Sequence, residues 1–93
     1  MAQPQKPEIE FPTRWGYKVI GTDGASVTEA VRECLALQIG AEVGVRDVTL
    51  DESRASAGGK YVSWHLQLRV ESEEERDALF QALSNHDDVT MVI

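Results

Sequence analysis

The stretch GKYVSWHLQLRVES, residues 59–72, decides the fold. Val62, Trp64, Leu66, Leu68 and Val70 take one parity, and Tyr61, Ser63, His65, Gln67 and Arg69 take the other. Successive side chains of an extended chain point to opposite faces, so this alternation predicts a strand buried on one side only. The period then changes. Ser72-Glu73-Glu74-Glu75 has the spacing of a capping box, with three acids in the first turn, where the helix dipole favours negative charge. Leu79, Phe80 and Leu83, with Ala78 and Ala82, form an apolar helical stripe that ends near Ser84 or Asn85. Residues 88–93, DVTMVI, read as a last short strand with Val89, Met91 and Ile93 on one side.

The first half of the chain has the same plan. In RWGYKVIG, residues 14–21, Trp15, Tyr17 and Val19 alternate with Gly16, Lys18 and Ile20, which predicts a strand. Pro12 stops ladder pairing before it. GTDG ends it with turn chemistry. Ser26-Val27-Thr28-Glu29 has capping-box spacing, and Val27, Ala30, Val31, Cys34, Leu35 and Gln38 recur at helical intervals. The helix is expected over about residues 27–39, with Gly40 as its C-terminal cap. EVGVRDVTLDES, residues 42–53, is the second strand candidate. Val43 and Val45 share one parity while Val48 and Leu50 share the other, so a β-bulge near Arg46 or Asp47 is expected to reconcile them. SRASAGG, residues 53–59, is a loop of low intrinsic order.

The order β-α-β-β-α-β predicts an α+β, ferredoxin-like split βαβ fold. Its four-stranded antiparallel sheet should run in the order 4-1-3-2. Right-handed crossovers place both helices on one face. Trp64, Leu66 and Leu68 should then lie beneath the helices, opposite Val31, Leu35, Leu79, Phe80 and Leu83. Residues 1–8 are polar, carry Pro4 and Pro7, and read as a flexible tail; residues 9–93 read as one domain.

Composition narrows the function classes. The chain has 93 residues, a formal net charge of -7 and 42% hydrophobic residues, enough apolar content for a modest core. The negative charge opposes phosphate backbones and anionic lipid surfaces, so neither nucleic acid nor membrane is an expected partner. No run approaches the ~20 apolar residues of a membrane span, and the start has no apolar signal-peptide region. A single cysteine, Cys34, fits a reducing, cytoplasmic setting. There is no Cys-x-x-Cys for metal transfer, no paired aromatic stretch for stacking bases, and no nucleophile-base pair at a recognisable spacing.

Three segments together carry a resemblance. EFPTRWGYKVIG at residues 10–21, GKYVSWHLQLRV at 59–70 and HDDVTMVI at 86–93 resemble the YbeD-like family of small bacterial proteins of uncharacterised function. The shared features are the leading FPT, YKV followed by a small residue, the loop into GKYVS, and a terminal MV plus an aliphatic residue. Trp64 and His65 depart from the pattern, standing where a small β-branched pair is expected. The resemblance implies a ferredoxin-like fold similar to the ACT regulatory domains that bind amino acids. It supplies no catalytic residues and no cofactor.

Among candidate sites, Gly21, Gly24 and Ser26 lie in the strand-to-helix turn, near which ACT domains bind their effectors. As a ligand-binding turn they compete with an ordinary turn. Cys34 falls on the apolar stripe of the first helix and reads as a small buried hydrophobe. His65 and His86 have no ligand-spaced partner, so no metal site is expected; His86 reads as a helix-end residue. Glu73, Glu74 and Glu75 read as a solvated, dipole-compensating turn. The polar face of the central strand, with Lys18, Tyr61, His65 and Arg69, is a candidate interaction surface, for a homodimer or an acidic group. The leading expectation is a non-enzymatic regulatory or interaction domain that binds a small-molecule effector or a protein partner. The alternatives are a small enzyme with a site assembled across a dimer and an acidic protein that docks on a basic one.

Overall fold

The computed structural model describes residues 9–53 and 59–93. The tail expected over residues 1–8 and the centre of the loop expected over 53–59 lie outside the described residues. In chain order the elements are β1 (Thr13–Gly21), α1 (Gly24–Gln38), a 3-10 segment (Gly40–Val45), β2 (Thr49–Glu52), β3 (Val62–Val70), α2 (Glu73–Ser84) and β4 (Met91–Val92). The sheet order is β2-β3-β1-β4, and every pairing is antiparallel. This is the split βαβ arrangement expected, read from the other edge.

The alternation of β3 sets the architecture. β1 and β3 pair over their whole length, from Thr13 opposite Val70 to Gly21 opposite Val62. Leu66, Leu68 and Val70 are buried with Tyr17 and Val19 of β1, and the helices cover them with Val27, Val31, Leu35, Leu79 and Leu83. Leu66→Ala in such a core costs about 2–5 kcal/mol in comparable proteins.

Local chemistry explains the helix ends. The Ser72 hydroxyl accepts from the Glu75 N–H (3.1 Å), the expected cap of α2. The Glu75 carboxylate accepts from the Glu71 N–H (3.1 Å) rather than from that of Ser72. At the end of α1, Ile39 N–H donates to Leu35 O (2.9 Å) and Gly40 follows in the left-handed region, φ 55°. A residue just past a helix turns back most easily there, and glycine does so without strain.

Several expectations need correction. α1 starts at Gly24, because Asp23 is the cap: its carboxylate accepts from the Ser26 N–H (3.0 Å) and hydroxyl (2.8 Å). Glu29 pairs with Arg32 instead of closing a box on Ser26. The second strand covers only Thr49–Glu52; residues 40–45 coil, and Asp47 at φ 53° makes the turn into the strand, so no bulge is needed there. The irregularity falls on the last strand. Thr90 N–H donates to Ile20 O (2.7 Å), while Ile20 also pairs with Met91. Two residues opposite one shift the parity, so Val89 and Val92 are buried while Met91 and Ile93 are exposed. Phe80, expected in the core, is 38% exposed, and Trp64 is only partly buried at the margin of the core.

Candidate binding surface

The outer face of the sheet is built in rows. Asp51 stands opposite His65, His65 opposite Lys18, and Ile93 exchanges both main-chain hydrogen bonds with Lys18 (3.0 and 2.9 Å). One row further, Thr49 stands opposite Gln67 and Gln67 opposite Gly16. Of the four residues expected on this face, Lys18 and His65 are therefore adjacent. Arg69 lies two rows beyond His65, opposite Arg14, and Tyr61 precedes the first residue of β3, with Lys60 Nζ 5.4 Å from its ring centroid.

Most of the cations are occupied within the fold. Arg69 donates to Val45 O (2.8 Å) and lies 3.4 Å from Asp47. Arg14 donates to Asp47 O (2.8 Å) and to Thr49 Oγ1 (3.0 Å). Arg46, 2% exposed, donates to Glu75, to Glu42 (2.7 Å) and to Arg69 O (3.1 Å). Its guanidinium holds the Glu75 carboxyl below the ordinary carboxylate range, and the Glu75 and Glu42 carboxylates raise the Arg46 pKa in return. This cluster was not legible as a site because Glu75 is 29 residues from Arg46. Only the Glu42–Arg46 spacing, one helical turn, hinted at it.

The turn after β1 is closely packed. A Cβ on Gly21 would stand 2.8 Å from Asp88 O and would also strike Val27, so the residue is a glycine for want of space. Gly24 opens α1 beneath Trp64, whose indole nitrogen would be 3.8 Å from a Cβ there. The Ser26 hydroxyl donates to the Asp23 carboxylate, which is thereby held below its ordinary pKa. The three glycine and serine positions thus share one turn, and an internal carboxylate sits on its helix end.

Cys34 is buried, and burial first, then Glu33, pushes its thiol pKa up, away from the reactive thiolate. His86 ties the helices together. Its Nδ1 accepts from the Asp88 N–H (3.1 Å), so the ring proton sits on Nε2, 2.8 Å from Glu33 Oε2. Burial likewise raises the pKa of the Tyr17 phenol, which donates to Arg76 O (2.7 Å). Among the described residues no three His, Cys, Asp or Glu side chains gather as a metal set, and no helix is long and apolar enough to cross a membrane.

The free edge of β1 stands out against this internal use. β4 pairs with β1 only near Lys18–Ile20. In an antiparallel ladder the N–H and C=O of one residue face the same neighbour, and the next residue faces the other. Because Lys18 and Ile20 bond toward β4, Arg14 and Gly16 present their main-chain groups to that same side, where no described residue meets them. A groove of about 380 Å³ runs beside this edge, lined by Trp15, Tyr17, Arg76, Asp77, Phe80 and Ile93. The Arg76 guanidinium lies 4.7 Å from the Trp15 ring and 5.8 Å from Phe11, which flattens it against the wall. Phe80, 38% exposed, is the apolar rim on the helix side; Ile93 closes the end of the groove, its side chain on the outer face with Lys18. Sequence reading missed this site because it depends on how short β4 is.

A four-stranded antiparallel sheet with two helices on one face defines the class, a small ferredoxin-like α+β domain. The chain belongs to the family described as "Protein of unknown function (DUF493)", whose model matches residues 6–93. It is 34% identical over 92 residues to a UPF0250 protein of Hahella chejuensis, covering 99% of this chain and 97% of the relative. It is 34% identical over 79 residues to an uncharacterised protein of Campylobacter jejuni, covering 85% of this chain and 82% of that one. The solution structure of protein HP0495 from Helicobacter pylori superposes with a TM-score of 0.79 at 29% identity, over 100% of this chain and 97% of that one. These matches agree with the YbeD-like resemblance and with the fold.

Proposed function

We propose that the protein is a non-enzymatic interaction domain that receives an extended segment of a protein partner on the free edge of β1. One juxtaposition carries this reading: the open main-chain groups of Arg14 and Gly16 lie beside an apolar groove walled by α2. Strand addition uses these two features together, the edge for main-chain hydrogen bonds and the groove for alternate side chains. The nucleophilic and acid–base side chains are engaged elsewhere: Cys34 is buried, His86 is fixed on Glu33, and Glu75 is bound to Arg46. A metabolite site encloses most of its ligand, whereas this groove lies at the edge of the sheet, open on the side away from β1. The lone buried thiol supports a reducing, cytoplasmic setting.

The test is selection of nonapeptides from a random displayed library against the wild-type protein. The selected peptides are then measured on Gly16→Pro, which removes an edge N–H while leaving the β3 ladder its partners. Thermal unfolding establishes that the variant is folded. Losing one or two main-chain bonds should weaken binding at least about tenfold. Equal affinity for the folded variant removes the edge as the site. A selective rise in melting temperature with free amino acids or small carboxylates, unaffected by Gly16→Pro, transfers the reading to a metabolite site elsewhere.

A further inference from the structure

The chemistry of the segment can be read from the vacant place beside Gly16, an inference that rests on the strand-addition reading above. On the outer face the row Asp51–His65–Lys18 ends at Ile93, but the row Thr49–Gln67–Gly16 has no fourth member among the described residues. An added strand puts one outward side chain there. Gly16 has no side chain to screen it, and the His65 ring lies over the glycine: a Cβ on Gly16 would be 3.0 Å from His65 Nε2. One row away stands Lys18, exposed and in no ion pair among the described residues. The Ile93 carbonyl oxygen takes its main-chain N–H (3.0 Å), not its ammonium. Asp51 meets His65 only from the far side. A side chain beside Gly16 therefore faces an imidazole nitrogen across a bare glycine and a free ammonium diagonally.

The two neighbours of that residue point the other way. In antiparallel pairing they stand beside Tyr17 and Trp15 and next to Phe80, where water is displaced by apolar side chains. We infer that the β1 edge recognises an extended partner segment with an apolar–acidic–apolar triplet, its Asp or Glu carboxylate beside Gly16 between His65 and Lys18. The free edge, Thr13–Tyr17, is about 17 Å long at about 3.3 Å per residue, which suits a short linear segment. A domain-sized contact needs about 800 Å² on each side, more than a strand of that length offers.

A second copy fits this edge less well. Pairing β1 with itself so that both sets of open groups bond puts Arg14 of one protomer beside Gly16 of its partner. That brings a cation toward Lys18 and His65. The chain's own apolar–acidic–apolar stretch, Ile9-Glu10-Phe11, has Phe11 already packed against the core beside Arg76.

Peptides selected on the wild type are compared with peptides selected on Lys18→Glu, an exposed substitution, with sedimentation run on both proteins. The expected result is enrichment of one acid between two apolar residues on the wild type. Lys18→Glu should bind those peptides about tenfold more weakly and should enrich Lys or Arg at the central place instead. If Gly16→Pro abolishes binding but no central acid is enriched, or Lys18→Glu selects the same peptides, the acidic triplet is wrong and the edge stands. If the peptides bind Gly16→Pro unchanged, or the folded protein enriches none, both readings fall. A concentration-dependent dimer that Gly16→Pro dissolves gives the edge to a second copy and overturns the partner segment.

Discussion

The two edges of the sheet are finished differently. β2 is four residues long, carries Asp51 and Glu52, and follows a turn whose carbonyls are taken by Arg14 and Arg69. Short strands and charges are how proteins keep an edge from pairing with another chain. Over Arg14–Gly16 the opposite edge carries one charge, and the Arg14 guanidinium is turned across the sheet to Asp47 and Thr49. This edge is bordered by Trp15, Phe80 and Ile93, with a glycine where a side chain could have blocked approach. A fold that guards one edge with Asp51, Glu52 and the contacts of Arg14 and Arg69, and leaves main-chain groups of the other open, keeps the second available. The guarded edge spends its charge on stability, and the bare one spends almost nothing.

The largest expected effect follows from removing the guard's anchor. Arg46 is buried among Glu42, Glu71 and Glu75, two of which it holds by hydrogen bonds. Arg46→Ala leaves those carboxylates together without their cation and loosens the turn before β2. The expected loss is about 3 kcal/mol, the lower part of the range for breaking a buried pair, because Glu75 keeps some contact with water. Arg69→Ala, on a more exposed pair, should cost about 1 kcal/mol or less. Urea unfolding of the two variants measures the contrast; equal midpoints would show that the cluster rehydrates freely and that the two edges do not differ in this way.

The same cluster gives stability a pH dependence of known sign. Arg46 lowers the pKa of Glu75 in the folded protein. A depressed folded pKa means that the unfolded state takes up the proton first. The contribution is complete above the ordinary glutamate value of about 4.3 and is lost as pH falls through the folded value. Melting temperature should therefore drop below about pH 4, and less steeply in Glu75→Gln, which has no proton to take up there. Parallel acid limbs in the two proteins would assign the loss to other carboxylates, Asp23 first, since it too is held low by Ser26.

The guarded edge and the bare edge were legible to different degrees. β3 could be read directly because an uninterrupted period of two admits one register, and Leu66, Leu68 and Val70 are buried as that register requires. The paired helices and sheet order followed from element order alone. The stretch from Glu42 to Asp47 could not be read so, because Val43 and Val45 fit a strand and a coil equally well. The deciding facts, the left-handed Asp47 and the burial of Arg46 against Glu75, are made by tertiary contact. Asp23 and Ser26 both suit a helix cap, and local sequence does not choose between them. In β4 the doubled pairing at Ile20 reversed the parity of Met91 and Ile93 and sent them out of the core. That shift turns Met91 and Ile93 outward beside the open groups of Arg14 and Gly16, so the candidate site lies where periodicity stopped being informative.

The smallest expected effect puts a guard on the bare edge. Phe80 lies on α2 at the groove rim, 38% exposed, beside Ile93 and the Arg76 stack. Lysine at this position can lay its aliphatic stem over the same apolar wall while its ammonium reaches water. Little packing is lost, and no buried polar group is created. Phe80→Lys should therefore change unfolding free energy by less than about 1 kcal/mol, close to the range of ordinary surface substitutions. It should nevertheless remove the capacity to take up an apolar side chain beside Trp15 and Tyr17, read as loss of binding to the peptides selected on the wild type. A fall of more than about 2 kcal/mol would place Phe80 among the core residues. The groove would then be a margin of the interior, and the contrast between a guarded edge and an available one would lose its apolar half.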